Sequence, residues 1–594
     1  MITQTLRSRF AQSLSAKGAF AKNLFANGYR AASSIDLAKL APTRDERLFL
    51  VLSIFIGIIS GLLVVMFRVA IEWIKILTLG SAPHAGQFRL IYVPALGGLL
   101  VAAMVQWLFP AARGSGVNQT KAALYVYNGY ISFRTVIGKF ITSSIAIGSG
   151  HSLGPEDPSL HIGAGVASII ARKFGMSRQK LRLFAPIGAA AGLAAAFNAP
   201  ISAILFVIEE IIGQWSAAVL GSIVLAAISS VVVLRRFWGS APMFRIPTVN
   251  LRSSRELFAY AVLGIVGGLF AVVFSRALGS LRPRLRAMPR WTQFCQPAVA
   301  GLLVGLIGYF GYFQVMGAGY GAMDQAMHGE FTWKLLLVLA VLKLVATTLS
   351  YSSGTPGGMF APTLFIGAML GAGVGSFEKL FFPALTGSVG SYALVGMGVL
   401  FAGFLRVPLT SVFMVLEVSG NYSIILPVIL ANTIAYLIAR TLQPVAIFET
   451  FSHQDGLDLP SLEEQREEIP LHIEDALQPL TVPILHGDES IAVASAAVAE
   501  AGSTSLLIQI HDGSWYTMTG EELTAAAAML EPETPLERVL KPDRVPTLFP
   551  DLPLDNALPY FPRWPLLPII NRASRDKLEG VITLNAVLKR YQSP

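Results

Sequence analysis

Glycine- and proline-rich breaks interrupt the apolar stretches of this sequence and lead into further apolar segments. Two of them are GSGHSLGPEDPSL at 148–160 and SSGTPGGMFAPTL at 352–364. A third, Arg113-Gly-Ser-Gly116, follows an apolar segment that ends near Phe109. Glycine lets the backbone approach a ligand closely, and proline is favoured in the first turn of a helix. Each break therefore predicts a helix that begins inside an apolar region.

The chemistry that such helix starts support is anion binding. The first turn of a helix has N–H groups without intrahelical partners and about half a positive charge. Several helix starts aimed at one point would bind an anion without Lys or Arg, and the ion could leave quickly. The Ser115 hydroxyl adds a neutral donor. The alternative is that the clusters are only kinks and turns, but three clusters, two of them related by repetition, favour the site.

Glu156 lies within the first break, at the predicted start of a helix. Its carboxylate can occupy the anion site itself, because the same N–H donors serve both, and protonation would release it. The alternative is an acid that only complements the helix dipole. An isolated glutamate would suit that alternative, whereas the surrounding break favours a gating role.

Glu209 and Glu210 close an otherwise apolar helix. Acids within a membrane are costly and often functional, although these two could instead lie at a wet helix end with a structural role. Glu209 recurs as Glu417 in the second half of the chain, which favours a shared structural role for that pair. Val418 stands at the position equivalent to Glu210, so the role of Glu210 is specific to one half.

Two further polar residues lie in apolar segments. Lys139 precedes the first break and either raises the local potential for anions or extends its ammonium to the membrane surface. His161 follows a helix start, where a packing histidine is more common than a proton carrier.

The breaks belong to an internal repeat. Pro158-Ser-Leu-His-Ile-Gly-Ala164 recurs as Pro362-Thr-Leu-Phe-Ile-Gly-Ala368, at an offset of 204 residues (362 − 158). The segment 200–209 recurs as 408–417, at an offset of 208 (408 − 200). Chance similarity of apolar helices is the alternative to duplication. Transporters often contain two such repeats of opposite topology, with the binding site where broken helices from both halves meet.

The composition indicates a polytopic membrane protein. Of 594 residues, 53% are hydrophobic and only 14% are charged, which is too few charges to cover a soluble protein. The net charge of +9 fits basic cytoplasmic loops, since no basic stripe with interleaved aromatics indicates nucleic acid. The single cysteine, Cys295, excludes an intramolecular disulfide and argues against a metal cluster. The long apolar blocks are Leu48 to Val69, Leu90 to Phe109, Ala217 to Leu234, Leu257 to Phe274 and Leu335 to Leu349.

Changes of composition divide the chain into four parts. The charged stretch SLEEQREE at 461–468 is typical of a linker, and the region after it alternates short strand-like runs with helical patterns. The predicted parts are a cytoplasmic amphipathic segment (1–45), a transmembrane domain (46–460, with repeats at about 46–236 and 254–440), a linker (461–469) and a cytoplasmic α/β domain (470–594).

The motifs resemble those of the CLC chloride channels and chloride/proton antiporters. The three anion-site motifs of that family are similar to GSG at 114–116, Gly154-Pro-Glu-Asp-Pro158 and Gly357-Gly-Met-Phe-Ala-Pro362. NAPISAILFVIEE at 198–210 and GNYSIILP at 420–427 also fit. The resemblance covers roughly the transmembrane domain. It implies an intramembrane, largely helical fold of two inverted halves, and a homodimer with one pore per subunit.

The resemblance also implies roles for individual residues. Glu156 falls at the family's gating glutamate, and Glu210 matches the internal proton-transfer glutamate of the antiporter branch. Apart from the resemblance, we assign supporting roles to Asp157, Glu209 and Lys139 from their positions in the sequence. The implied anion-binding residues are Ser115, Gly116, Gly358, Met359, Phe360 and Phe448.

Five residues of the transmembrane domain depart from the family pattern, one of which is Gln119 in place of a glutamate. Asn118 stands where the first motif usually has proline, Pro155 replaces a basic residue, and Asp157 replaces a glycine. Phe448 takes the place of the pore tyrosine and lacks its hydroxyl, so we expect weaker anion coordination on the inner side.

The tail from about 470 to 594 resembles a pair of CBS modules, with LEGVITLNAVLKRY at 578–591 as the closing strand and helix. Such pairs can bind adenine nucleotides. Ala586 replaces the aspartate that would hold a ribose, so a structural dimerisation role is at least as well supported as nucleotide binding. We predict no other cofactor.

The function that the sequence predicts is secondary-active exchange of chloride for protons. The first alternative is a passive, gated chloride channel on the same fold, and a more distant one is a membrane receptor or scaffold. Fluoride is a less favoured ion, because Ser115 fits the chloride-type motif. An enzyme is not expected, since no catalytic triad, metal-spaced cluster or phosphate loop occurs in a suitable context. We expect a multi-pass protein of a prokaryotic plasma (inner) membrane, with both termini cytoplasmic.

Overall fold

The computed structural model divides the chain into two compact units, Met1–Gln465 and Arg466–Pro594. The predicted linker and nearly all of the predicted N-terminal segment lie outside the residues that the structure describes. Those residues are 44–81, 83–213, 217–244, 255–383, 387–457, 459–460, 471–478, 482–540, 543–572 and 577–592.

The first unit is built from helices, as predicted. Within the described ranges, nine helical stretches are long and apolar enough to cross a bilayer. Shorter helices lie between them and depend on the bundle for burial. The helices are α1 (Arg44–Thr78), α2 (Arg89–Ala103), α3 (Val117–Tyr125), α4 (Phe133–Gly148), α5 (Glu156–Lys173), α6 (Arg178–Phe197), α7 (Pro200–Phe206), α8 (Ala217–Trp238), α9 (Glu256–Arg286), α10 (Arg290–Ile307), α11 (Tyr320–Met327), α12 (Trp333–Ser352), α13 (Phe360–Phe381), α14 (Val389–Leu405), α15 (Pro408–Ser419), α16 (Ile425–Leu442) and α17 (Ile447–Gln454).

The order of elements in α1–α8 recurs in α9–α16. Each half begins with a long helix, followed by a helix with an internal proline, Pro94 in α2 and Pro297 in α10. Both proline-containing helices continue into a π-helical turn and a short 3-10 turn, and a helix of eight or nine residues follows. The duplication seen in two sequence motifs therefore extends over whole halves of the unit.

The two halves contact each other reciprocally through backbone. Gly98 of α2 lies against the carbonyl of Pro297, and Gly301 of α10 lies against the carbonyl of Pro94. A Cβ atom at either glycine would be 2.3 Å from the facing oxygen. Only glycine permits so close a contact, which matches the use of small residues where membrane helices pack.

Glu209 and Glu417 form a second reciprocal contact between the halves. The Glu209 carboxylate accepts hydrogen bonds from Thr410 N (2.8 Å) and Oγ1 (2.6 Å) at the start of α15. The Glu417 carboxylate accepts hydrogen bonds from Ser202 N (2.7 Å) and Oγ (2.6 Å) at the start of α7. Each half thus caps a helix of the other, since helix starts have N–H groups without intrahelical partners.

The second unit is a small α/β domain. Its first half contains β1 parallel to β2 and β2 antiparallel to β3, and its second half contains β4 antiparallel to β5. The segments predicted as strands from SLLIQI and LEGVITL are β2 and β5. The elements are β1 (Ile484–His486), α18 (Ile491–Ala501), β2 (Ser505–Gln509), β3 (Trp515–Thr519), α19 (Gly520–Met529), β4 (Leu566–Ile570), β5 (Leu578–Thr583) and α20 (Leu584–Gln592).

The reciprocal caps predict equal effects of two substitutions. Glu209→Ala and Glu417→Ala should each reduce the free energy of unfolding by about 1 kcal/mol, because each removes a capping carboxylate. Thermal unfolding of the purified protein in detergent measures the loss. Glu330→Ala, which truncates an exposed acid, is the control. A loss confined to one of the two capping variants would contradict reciprocal capping.

Candidate functional site

The starts of α5 and α13 meet at one point inside the first unit. Gly154 and Gly358, which precede these helices, exchange two backbone hydrogen bonds of 2.8 Å in an antiparallel bridge. The bridge joins the first break to its repeat-related counterpart. The free N–H groups of two helix starts are therefore brought together, one from each half of the unit.

The third predicted break lies against the start of α5. Gly116 has φ +120°, and a Cβ atom there would be 2.6 Å from the Cβ of His161. His161 Nδ1 is 3.1 Å from the carbonyl oxygen of Gly116 and 3.0 Å from Thr120 Oγ1. Glycine is needed for both the positive φ and the close approach. Ser115 is buried beside this contact, and its Oγ lies 3.4 Å from Val117 N at the start of α3.

A fourth break, which sequence reasoning missed, completes the arrangement. Gly317-Ala-Gly-Tyr320 precedes α11 and corresponds to Gly114-Ser-Gly-Val117 before α3, at an offset of 203 residues (317 − 114). The Tyr320 hydroxyl donates a hydrogen bond to Glu156 Oε1. The repeat offset was the available signal, because it carries the glycine pair of the first half onto this segment.

Lys139 is fully buried and supports the third break. Its Nζ donates hydrogen bonds to the carbonyl oxygens of Ala112 (2.7 Å) and Gly114 (2.8 Å). The alternative that its ammonium extends to the membrane surface is therefore wrong: α4 carries the side chain inwards, where the two carbonyls satisfy it.

Lys343 of α12 makes the equivalent contacts in the second half. Its Nζ donates hydrogen bonds to the carbonyl oxygens of Val315 (3.0 Å) and Gly317 (2.6 Å), and its side chain is also fully buried. Sequence reasoning did not single it out, although it follows Lys139 at the repeat offset of 204 residues (343 − 139). Each half thus uses one buried lysine to fix its own glycine break.

Two carboxylates from α5 occupy the N–H groups at the start of α13. Glu156 Oε2 is 3.3 Å from Ala361 N, and Asp157 Oδ2 is 3.0 Å from Met359 N. Both side chains are fully buried. The amide of Met359, predicted to bind an anion, therefore donates to Asp157 in this structure.

Phe360 and Phe448 pack against each other at the same helix start. Their ring centroids are 6.4 Å apart, and the Phe360 ring also packs on Phe206 at 4.9 Å. The carbonyl oxygen of Phe448 accepts a hydrogen bond from Asn118 Nδ2 at 2.8 Å. Asn118 departs from the family's proline, and the structure gives the departure a role: it ties α17 to the start of α3.

The Tyr351 hydroxyl lies against the side chain of Ser115, a contact that the sequence did not reveal. Tyr351 is buried near the end of α12, and its ring stacks on Phe451 at a centroid distance of 5.1 Å. The site therefore contains a phenolic hydroxyl from α12, although Phe448 supplies none. The missing hydroxyl at Phe448 therefore does not by itself predict weaker coordination of an anion. The position of Tyr351, directly before the SSG break, was the available signal.

Glu210 contacts a different element. It lies in the π-helical turn after α7, and its Oε1 is 3.3 Å from Nζ of the buried Lys121 of α3. Lys121 is one turn beyond the third break. The pair therefore connects the acid to the helix whose start carries Ser115.

A cavity of about 460 Å³ is lined by residues of α1, α6, α8 and α11. The Phe197 ring, one of its walls, stacks on Phe360 at a centroid distance of 6.1 Å. Asp324 and His328 of α11 line the same cavity, on the helix that begins at Tyr320. Arg68 of α1 is a further polar wall.

The family model for voltage-gated chloride channels matches residues 97–440. The chain belongs to the CLC family. A curated CLC relative, the H(+)/Cl(−) exchange transporter ClcA of Salmonella arizonae, is 31% identical over 418 residues, which cover 68% of this chain and 87% of that protein. CLC proteins are transporters and not enzymes, so the chain belongs to a transport family. It is a multi-pass integral membrane protein.

Solved CLC structures share the fold. A slow cyanobacterial Cl−/H+ antiporter aligns with a TM-score of 0.63 at 23% identity, covering 70% of this chain and 99% of that chain. A eukaryotic CLC transporter aligns with a TM-score of 0.59 at 20% identity, covering 90% of this chain and 97% of that chain. The predicted fold class is confirmed by these alignments.

Proposed function

We propose that this CLC protein exchanges chloride for protons across a membrane as a secondary-active antiporter. One observation carries the proposal: two carboxylates hold the N–H donors where the starts of α5 and α13 meet. N–H donors that bind a carboxylate also bind a halide, and protonation of the carboxylate frees them. Anion movement and proton movement are thereby linked at one place.

Chloride would bind where neutral donors from two of the breaks and from α12 meet. Ser115 and Tyr351 supply hydroxyls, and Met359 and Phe360 supply backbone N–H groups. Gly116 and Gly358, which have no side chains, would let these groups approach the ion, and Phe448 would shield it from water. No lysine or arginine is required at the ion, so release stays fast.

Glu156 would act as the gate and as the carrier of protons to one side. The hydrogen bond from Tyr320 and the contact with the Ala361 amide define its closed position. Glu210 would receive protons from the other side, and Lys121 would position it. Exchange of H(+) for Cl(−) is the activity in the name of the Salmonella arizonae relative, which supports the same coupling here.

A passive chloride channel is the second candidate. The observation that favours it is that Asp157 replaces the family's glycine beside Glu156, because an added acid changes the site where anion and proton movement would be coupled. Reversal potentials of the reconstituted protein in a pH gradient distinguish the two. A shift with pH supports antiport, and no shift supports a channel. A receptor or scaffold would show no anion flux at all.

The second unit would be a CBS-like pair that supports a homodimer. Its order β1-α18-β2-β3-α19 is repeated in shortened form, with a 3-10 turn (Leu554–Tyr560) in place of the helix before β4, β5 and α20. Ala586 leaves no carboxylate for a ribose, so we favour a structural role over binding of adenine nucleotides. We place the protein in a prokaryotic inner membrane, with both termini cytoplasmic.

Glu156→Gln should retain chloride flux and abolish proton movement, because the amide cannot carry a proton. Chloride and pH electrodes record both fluxes from the same proteoliposomes. Glu330→Gln, an exposed acid, serves as the control and should retain both. Loss of all anion flux in the Glu156 variant would show that the gate assignment is wrong.

Glu210→Gln should also retain chloride flux and lose proton movement. The amide oxygen can still accept a hydrogen bond from Lys121, so the local contacts are kept while the titratable group is removed. Glu209→Gln, at the neighbouring position, should retain coupling because Glu209 caps α15. The same two electrodes apply. Intact coupling in the Glu210 variant would contradict its role.

Tyr351→Phe should weaken chloride binding about tenfold, since one hydrogen bond to a charged ligand is lost. Isothermal titration calorimetry with chloride measures the change. Adding Phe448→Tyr should restore part of the affinity, by returning a hydroxyl from α17. Unchanged affinity in the single variant would show that the Tyr351 hydroxyl does not contact the ion.

A further inference from the structure

Asp157 holds part of the site that a halide would need. Its Oδ2 is 3.0 Å from Met359 N, at the start of α13. Its Oδ1 is buried and has no hydrogen-bond partner among the described residues. A Cβ atom at Gly358 would lie 2.8 Å from this carboxyl group, so the glycine makes room for it. The carboxylate therefore lies directly on a helix start and has one oxygen unused.

The helix start of α13 is shared between two adjacent acids. Asp157 takes the amide of Met359, and Glu156 takes that of Ala361, on either side of Phe360. Both acids are in the first turn of α5, so the two carboxyl groups extend from adjacent backbone positions. A halide that approaches α13 meets two tethered anions that use the same kind of donor.

One buried cation acts on Asp157. Lys139 acts electrostatically on Asp157, and its Nζ is held by two backbone carbonyls of the adjacent break. Lys343 and Arg68 act on Glu156 instead. A halide at the Met359 amide would therefore add an uncompensated negative charge in a low-dielectric region, unless Asp157 leaves or binds a proton.

We propose that Asp157 is a second intrinsic anion of the transport path. It holds the Met359 amide when no halide is bound, and it must leave that amide before a halide can use it. The inference rests on the proposed function, because it assigns Asp157 a place in the same anion path. A purely structural role, as a cap of α13, is the competing account.

Chloride titrations in the Glu156→Gln background isolate Asp157, because Glu156 no longer competes there. The three proteins to compare are E156Q, E156Q/D157N and E156Q/D157G. The asparagine can still accept a hydrogen bond from Met359 N but has no charge, whereas glycine opens the site. We expect chloride affinity to rise in that order, with D157G about tenfold tighter than E156Q alone. Adding E330Q to E156Q should leave the affinity unchanged.

The structural account predicts a different pattern. Affinity would then be equal in E156Q and E156Q/D157N, and the glycine variant would lose thermal stability without binding chloride more tightly. That result overturns the inference while the proposed function stands. If E156Q itself neither binds chloride nor passes anions, the proposed function fails and the inference with it. If the glycine variant does not fold, the asparagine variant decides alone.

Discussion

The N–H groups at the starts of α5 and α13 are the constraint on which the rest of the first unit depends. They have no intrahelical partners, and a bilayer core offers no water to replace them. The Gly154–Gly358 bridge brings them together, and acidic side chains satisfy two of the donors at α13. A site of this kind exchanges one anion for another readily, because every anion that enters replaces one that leaves.

Reciprocity between the halves keeps this arrangement in place. Glu209 and Glu417 each cap a helix of the opposite half, and Gly98 and Gly301 each face a carbonyl of the opposite half. The buried lysines act within their own halves, where each fixes one glycine break. A duplicated sequence thus provides the same kind of contact twice, and the proposed anion site lies where the two halves meet.

Much of this was predictable from sequence, because the determinants are local. Gly-Pro breaks specify helix starts, and the motif repeats specify two related halves. Tyr320 and Lys343 were missed although the repeat offset pointed to them. Tyr351 stands directly before the SSG break, but its contact with Ser115 joins residues more than 200 positions apart, so no local pattern identifies that partner. The contact between Asp157 and the Met359 amide likewise depends on packing between the halves, so no local pattern reveals it.

The departures from the family pattern can be explained together by the contacts that these residues make. Asn118 anchors Phe448, Tyr351 brings a hydroxyl to Ser115, and Asp157 adds a carboxylate to the helix start. The result is a centre with hydroxyl and amide donors in place and with more internal anions than the motif usually provides. On the proposed mechanism, how readily these carboxylates leave the amides governs the access of a halide.

Anomalous diffraction from crystals of the Glu156→Gln protein grown in bromide tests the central claim most directly. The account predicts a bromide peak enclosed by the Ser115 and Tyr351 hydroxyls and the backbone amides at the start of α13. Bromide found only at the protein surface, with these donors bound to other groups at saturating halide, would contradict it.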